Sequence, residues 1–160
     1  MSAQAWQELQ TTLETVLGDG SWKEAFGLDS EAVSVLVQTA YRLAEQGRLD
    51  EAQTLWEGLV VLNPQEAYFH TALGCVYMRK GWVEDAMAAF QCALAQDPTD
   101  VVAHTYLGEL ALSRGDVETA LRHLSRAVEL DPTETNPYAN RARLLSGLVA
   151  VLAREGVGTS

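Results

Sequence analysis

The chain has 160 residues, enough for one domain with a sizeable core, and its hydrophobic fraction of 48% is ordinary for a globular protein. A formal net charge of -11, with few and scattered Lys and Arg, argues against a nucleic-acid ligand, whose phosphates are met by clustered basic side chains. No apolar run is long enough for direct membrane insertion, and the opening MSAQAWQELQ lacks the basic segment and apolar stretch of a secretory signal.

Residues 3–17 place Trp6, Leu9, Leu13, Val16 and Leu17 at steps of three and four, one apolar stripe on an amphipathic helix. Gly18-Asp19-Gly20 breaks that helix, Trp22 and Phe26 suggest a short turn packing back on the first repeat, and Leu28-Asp29-Ser30 offers an N-cap. This extension, residues 1–29, can be read in two ways. Its stripe either folds back over the next helices, or Trp6, Leu9, Leu13, Val16 and Leu17 form a dimer contact.

From residue 30 the chain repeats itself. Prolines stand at Pro64, Pro98 and Pro132, a step of 34, each preceded by Asn63, Asp97 or Asp131. The same step separates Gly47, Gly81 and Gly115, then Ala52, Ala86 and Ala120, then Trp56, Phe90 and Leu124. Each Gly suits a left-handed helix end, and each Asn/Asp-Pro stops a second helix. The alanine lets two helices approach and the bulky residue fills the space beside it. The spacing predicts helix pairs at 30–46 with 49–62, 65–80 with 83–96, and 99–114 with 117–130. Such a pair cannot cover its own apolar face, so neighbours stack into a solenoid. A last helix, Pro137 to Arg154, carries Tyr138, Ala142, Leu145, Leu148, Val149 and Leu152 on one side and suits a cap over residues 133–155, leaving 156–160 as a tail.

The second unit resembles the tetratricopeptide repeat family through Leu73, Gly74, Tyr77, Gly81, Ala86, Phe90, Ala93 and Pro98. The third keeps Leu107, Gly108, Ala120, Ala127 and Pro132 but has Ala111 where an aromatic is usual; the first has Thr39 and Ala40 in place of Leu-Gly. The expected fold is therefore all-α, a right-handed solenoid of three tetratricopeptide helix pairs over residues 30–132, with an N-terminal amphipathic helix and a C-terminal capping helix. Over residues 9–155, this arrangement and the motif AYRLAEQGRLDEA resemble the class II chaperones of type III secretion systems, which bind hydrophobic translocator proteins before export.

That resemblance implies a cytoplasmic, non-enzymatic chaperone, a weak homodimer through its N-terminal region, holding an extended segment of a hydrophobic secreted translocator-like protein in a concave groove. The alternative is a general tetratricopeptide scaffold for another assembly. The family's rule that repeat positions two, five, nine and twelve face the groove selects Ser34, Val37, Tyr41 and Ala44, then Tyr68, Thr71, Cys75 and Met78, then Val102, Thr105, Glu109 and Leu112. Tyr106 joins this set. Members usually line the first repeat with tyrosines, where this chain has Val37 and Ala44 around Tyr41. The places of a Lys/Asn carboxylate clamp hold Val37, Tyr41, Ala72, Cys75, Val102 and Tyr106, so a C-terminal carboxylate ligand is not expected.

Nothing in the sequence assembles a catalytic, cofactor or metal site. His70 and His104 occupy one repeat position, where a core or half-buried histidine is favoured over a ligand, and His123 is expected to face elsewhere. Cys75 and Cys92 have no partner at zinc spacing and are expected to be buried thiols. Asp50-Glu51 and Glu84-Asp85 open second helices, where acidic side chains favour the positive end of the helix dipole.

Overall fold

The structure is a computed structural model that describes Gly27 and residues 30–157. The extension stripe from Trp6 to Leu17 lies outside the described residues. Seven helices occupy the described residues: α1 Ser30–Glu45, α2 Leu49–Leu62, α3 Ala67–Lys80, α4 Val83–Gln96, α5 Val101–Ser113, α6 Val117–Glu129 and α7 Pro137–Val157. The chain divides into two compact units, Met1–Ala86 and Met87–Ser160.

The helix ends follow the expected punctuation. Gly47, Gly81 and Gly115 all have left-handed φ values near 76°. In each case the following N–H reaches back five residues, Arg48 to the Leu43 carbonyl, Trp82 to Tyr77 and Asp116 to Ala111, at 2.9–3.0 Å. Together with the glycine N–H bonds to the Ala44, Met78 and Leu112 carbonyls, this closure satisfies carbonyls that a helix end otherwise leaves unpaired. Helices α3 and α5 start two residues later than the spacing predicts. The reason is capping: Asp100 accepts from the Ala103 N–H at 2.9 Å and Glu66 from the Tyr68 N–H, so the residues between proline and cap form a turn.

In the first unit α2 packs against α1 and α3. Ala52, Trp56 and Leu59 are buried, as the alanine and bulky-residue registers imply. A polar network lies among them. Glu57, itself buried, accepts from the Tyr77 hydroxyl at 2.9 Å and the Gln53 amide at 2.8 Å; Lys80 in turn binds Gln53 and Asp50 and sits 3.8 Å over the Trp82 ring. Burial, then the Glu57 carboxylate, push the Tyr77 phenol far above its ordinary range, so it serves as a permanent donor.

In the second unit α5 and α6 pack together and α7 lies against both. Leu124, Ala127 and Ala142 form a buried cluster sealed by Val101, Leu112, Val128 and Leu145. The capping stripe is narrower than expected. Tyr138, Ala142, Leu145 and Val149 are wholly or partly covered, but Leu148 and Leu152 are exposed, together with Leu144 and Val151. The covered set steps by three and four along one line of the helix; Leu148 lies off that line, while Leu152 continues it beyond the last covered residue, Val149. The helix also runs to Val157, past the expected end at Arg154. Two further expectations change: Cys92 is exposed rather than buried, and His123 faces His104, with their Nδ1 atoms 3.0 Å apart.

The Asp-Pro-Thr turns are built by their aspartates. Asp97 accepts from the Thr99 N–H and hydroxyl at 2.8 and 2.6 Å. Asp131, buried, accepts from the Asn136 N–H at 2.9 Å and from the N–H and hydroxyl of Thr135 and the hydroxyl of Thr133, with Arg143 beside it. The Asn136 N–H, then the threonine donors, hold the Asp131 carboxyl below the usual range against the opposing effect of burial. A carboxyl depressed in the folded state contributes stability above its unfolded pKa and loses it as pH falls through the folded one. Asp131→Asn is therefore expected to lower the thermal midpoint at pH 7 and to flatten its decline below about pH 4, measured by circular dichroism melts across pH. Parallel pH curves for the two proteins would contradict this role.

Candidate peptide-binding faces

The residues selected from the repeat positions fall into a set in each unit, and the two sets have different surroundings. In the first unit α1 carries Ser34 and Tyr41 at the surface and Val37 and Ala44 partly buried. Helix α3 carries Tyr68 half exposed and Cys75 and Met78 partly buried, while Thr71 is buried and donates its hydroxyl to the Ala67 carbonyl at 3.2 Å. Tyr68 stands edge-on to Trp56 at 5.8 Å, a stabilising arrangement that holds the ring upright beneath its exposed edge. Burial raises the Tyr68 phenol, and Tyr41 and Cys75 raise it further. Arg79 donates to the Ala44 carbonyl, tying the end of α3 to the end of α1. The result is two exposed tyrosines, Tyr68 resting on a packed aromatic base of Trp56 and Phe69 and Tyr41 on α1, with small and flexible apolar groups on the same two helices. That chemistry suits apolar anchors of an extended chain, with phenolic hydroxyls for its backbone.

In the second unit the selected positions face α7. Thr105 is fully buried and its hydroxyl lies 2.9 Å from the Val101 carbonyl and 3.3 Å from the Tyr138 carbonyl. Tyr106 stacks on Phe90 at 5.0 Å and meets Tyr138 at 5.9 Å. Glu109 pairs with Arg141, whose Nη2 donates at 2.8 Å; burial raises the Glu109 carboxyl and Arg141 lowers it. Leu112 packs on the Leu124 cluster, and Val102 is partly buried. Thr71 and Thr105 therefore contribute packing rather than open surface. Helix α7 contacts this set through the Tyr138 carbonyl at Thr105 and Arg141 at Glu109.

Trp56 and Arg141 bear on these faces although neither belongs to the selected positions. Trp56 was legible as a repeat landmark, but its support of Tyr68 depends on how α2 meets α3. Nothing in the sequence of α7 marks Arg141 as the partner of Glu109. Among the described residues no helix is long and apolar enough to cross a membrane, and no group of three or more potential metal ligands is assembled.

A family profile described as "Tetratricopeptide repeat" matches residues 37–101, 72–135 and 105–155, overlapping spans that together run over most of the chain. The chain belongs to the tetratricopeptide repeat family. A comparison with curated protein sequences gives no match for this tetratricopeptide repeat protein. Solved structures do resemble it. A type III secretion complex from Aeromonas hydrophila superposes with a TM-score of 0.76 at 21% identity, covering 90% of this chain and 98% of that one. The Yersinia enterocolitica type III secretion chaperone SycD, in complex with a peptide of the translocator YopD, gives 0.70 at 18% identity over 79% and 98%. PcrH of Pseudomonas aeruginosa, in complex with the chaperone binding region of PopD, gives 0.71 at 23% identity over 81% and 97%. At these identities the likeness establishes that the tetratricopeptide repeat protein shares their helical solenoid fold.

Proposed function

We propose that this protein is a non-enzymatic chaperone that binds an extended, partly apolar segment of a hydrophobic secreted translocator-type protein. It works in the cytoplasm, as a weak homodimer whose contact is the stripe Trp6, Leu9, Leu13, Val16 and Leu17. The observation that carries the reading is exposed Tyr68 standing on buried Trp56, with Tyr41 also exposed on α1. An apolar anchor of the segment seats between the tyrosines and against Val37, and Met78 adapts its unbranched side chain to the anchor's shape. The likeness to SycD and PcrH, described in complex with translocator segments, supports the ligand class.

Co-expression with the hydrophobic translocator of its own secretion system, followed by affinity capture, tests the reading. The chaperone is expected to keep the translocator soluble and to co-purify with it; a translocator that stays insoluble and unbound ends the proposal. Val37→Glu is expected to weaken capture by about tenfold or more while leaving the helical signal intact, because a charge replaces an apolar contact. Equal capture would remove the face of α1 and α3 from the site.

A further inference from the structure

We propose that His104 and His123 form a chelating site for a divalent first-row transition-metal ion of the zinc class, held between their two Nδ1 atoms. The rings come from α5 and α6, tilted by 44° with centroids 5.2 Å apart, and the Nδ1 atoms face each other at 3.0 Å. His104 Nε2 lies 3.1 Å from the Pro98 carbonyl. A carbonyl only accepts, so the hydrogen of neutral His104 sits on Nε2 and its Nδ1 presents a lone pair. The hydrogen between the two rings then belongs to His123 Nδ1, which leaves His123 Nε2 as an acceptor.

His104 already has the arrangement a metal ligand needs, and His123 reaches it by changing tautomer. A coordinating imidazole is held in tautomer and orientation by donating its other N–H to a backbone carbonyl or carboxylate, as His104 does to Pro98. Two nitrogens bound to one ion at about 2.1 Å stand about 3.0 Å apart when their bonds meet at a right angle and about 3.4 Å apart in a tetrahedron. The pair is already at the first separation, and each ring turns by about 35–45° so that its Nδ1 lone pair leaves the line between the two nitrogens and points at the ion. On binding, the His123 hydrogen moves from Nδ1 to Nε2 by exchange with solvent, both Nδ1 lone pairs turn to the ion, and no net proton is released. Water fills the remaining positions.

His70 provides an internal control. It makes the same ring contact with the Pro64 carbonyl, at 2.7 Å, and the chain's other two histidines are paired with each other.

The test is nitrogen-15 NMR of the three imidazoles in the full-length protein during titration with Zn²⁺, with thermal melts alongside. His104 and His123 are expected to respond together at one ion per chain, His123 changing tautomer and His70 unmoved, and the melting temperature should rise. His104→Gln and His123→Gln should each reduce affinity by at least about tenfold and abolish the melting shift. Binding of equal affinity in both variants would place the ion on the thiols or carboxylates and overturn the proposal. So would the absence of binding at millimolar Zn²⁺.

Discussion

Trp56→Ala is expected to destabilise the first unit by about 3–5 kcal/mol, the cost of removing a large aromatic side chain from a site that cannot collapse around the cavity. Trp56 is 1% exposed and touches both Tyr68 and Phe69, with ring centroids 5.8 and 6.2 Å away. Ala52 and Leu59, also buried on α2, are too small or too constrained to fill the space. Denaturant titration and hydrogen exchange of α2 and α3 read the effect. Trp82→Ala is the matched control: that ring is 44% exposed and stacks on Tyr77 from outside, so it should cost far less. Because Trp56 also holds Tyr68 upright, capture of the translocator segment should fall with it. A stable Trp56→Ala protein with normal capture would show that Tyr68 is positioned by other contacts.

Gly108→Val is expected to destabilise the second unit by about 1–3 kcal/mol, at the upper end of that range. A Cβ at Gly108 would stand 2.6 Å from Leu124 Cγ, 2.7 Å from Leu124 Cδ2 and 3.3 Å from the Ala120 carbonyl oxygen. Leu124 is fully buried within its cluster and has no space to retreat into. Replacing glycine by alanine in a helix gains about 1 kcal/mol of propensity, which offsets part of the clash. Valine gains less and adds two branches to the same contact, so the steric cost decides the sign. Thermal melts of Gly108→Ala and Gly108→Val should show a small loss and a large one; equal midpoints for valine and wild type would mean that α5 and α6 can separate freely.

Both substitutions fall on positions already marked in the sequence, Trp56 by the register it shares with Phe90 and Leu124, and Gly108 by the Leu-Gly pair of the repeat. Their legibility has a physical cause. A helix that must end at the same place every 34 residues needs the same Gly, and two helices that must cross closely need the same small residue, so the constraint is local and repeats with the fold. The helix starts were less legible. Proline announces that one helix has ended, but whether the next begins at once depends on which side chain caps it, Glu66 and Asp100 here.

The candidate site was legible only in part. The family's rule for repeat positions assigns Tyr41, Tyr68, Thr71 and Thr105 to the same kind of face, yet the tyrosines are exposed and the threonines buried. A periodic pattern states which direction a side chain takes from its own helix and not what stands there. For Thr105 and Glu109 it is α7, through the Tyr138 carbonyl and Arg141. For His104 it is His123, 19 residues away on α6. The sequence by itself determined the repeat, the family, and the helices and most of their ends within residues 30–157, because each rests on local backbone preference and a periodic apolar pattern. The tertiary structure alone decided which of the selected residues are exposed and which imidazoles meet, because those depend on where a separate helix comes to rest.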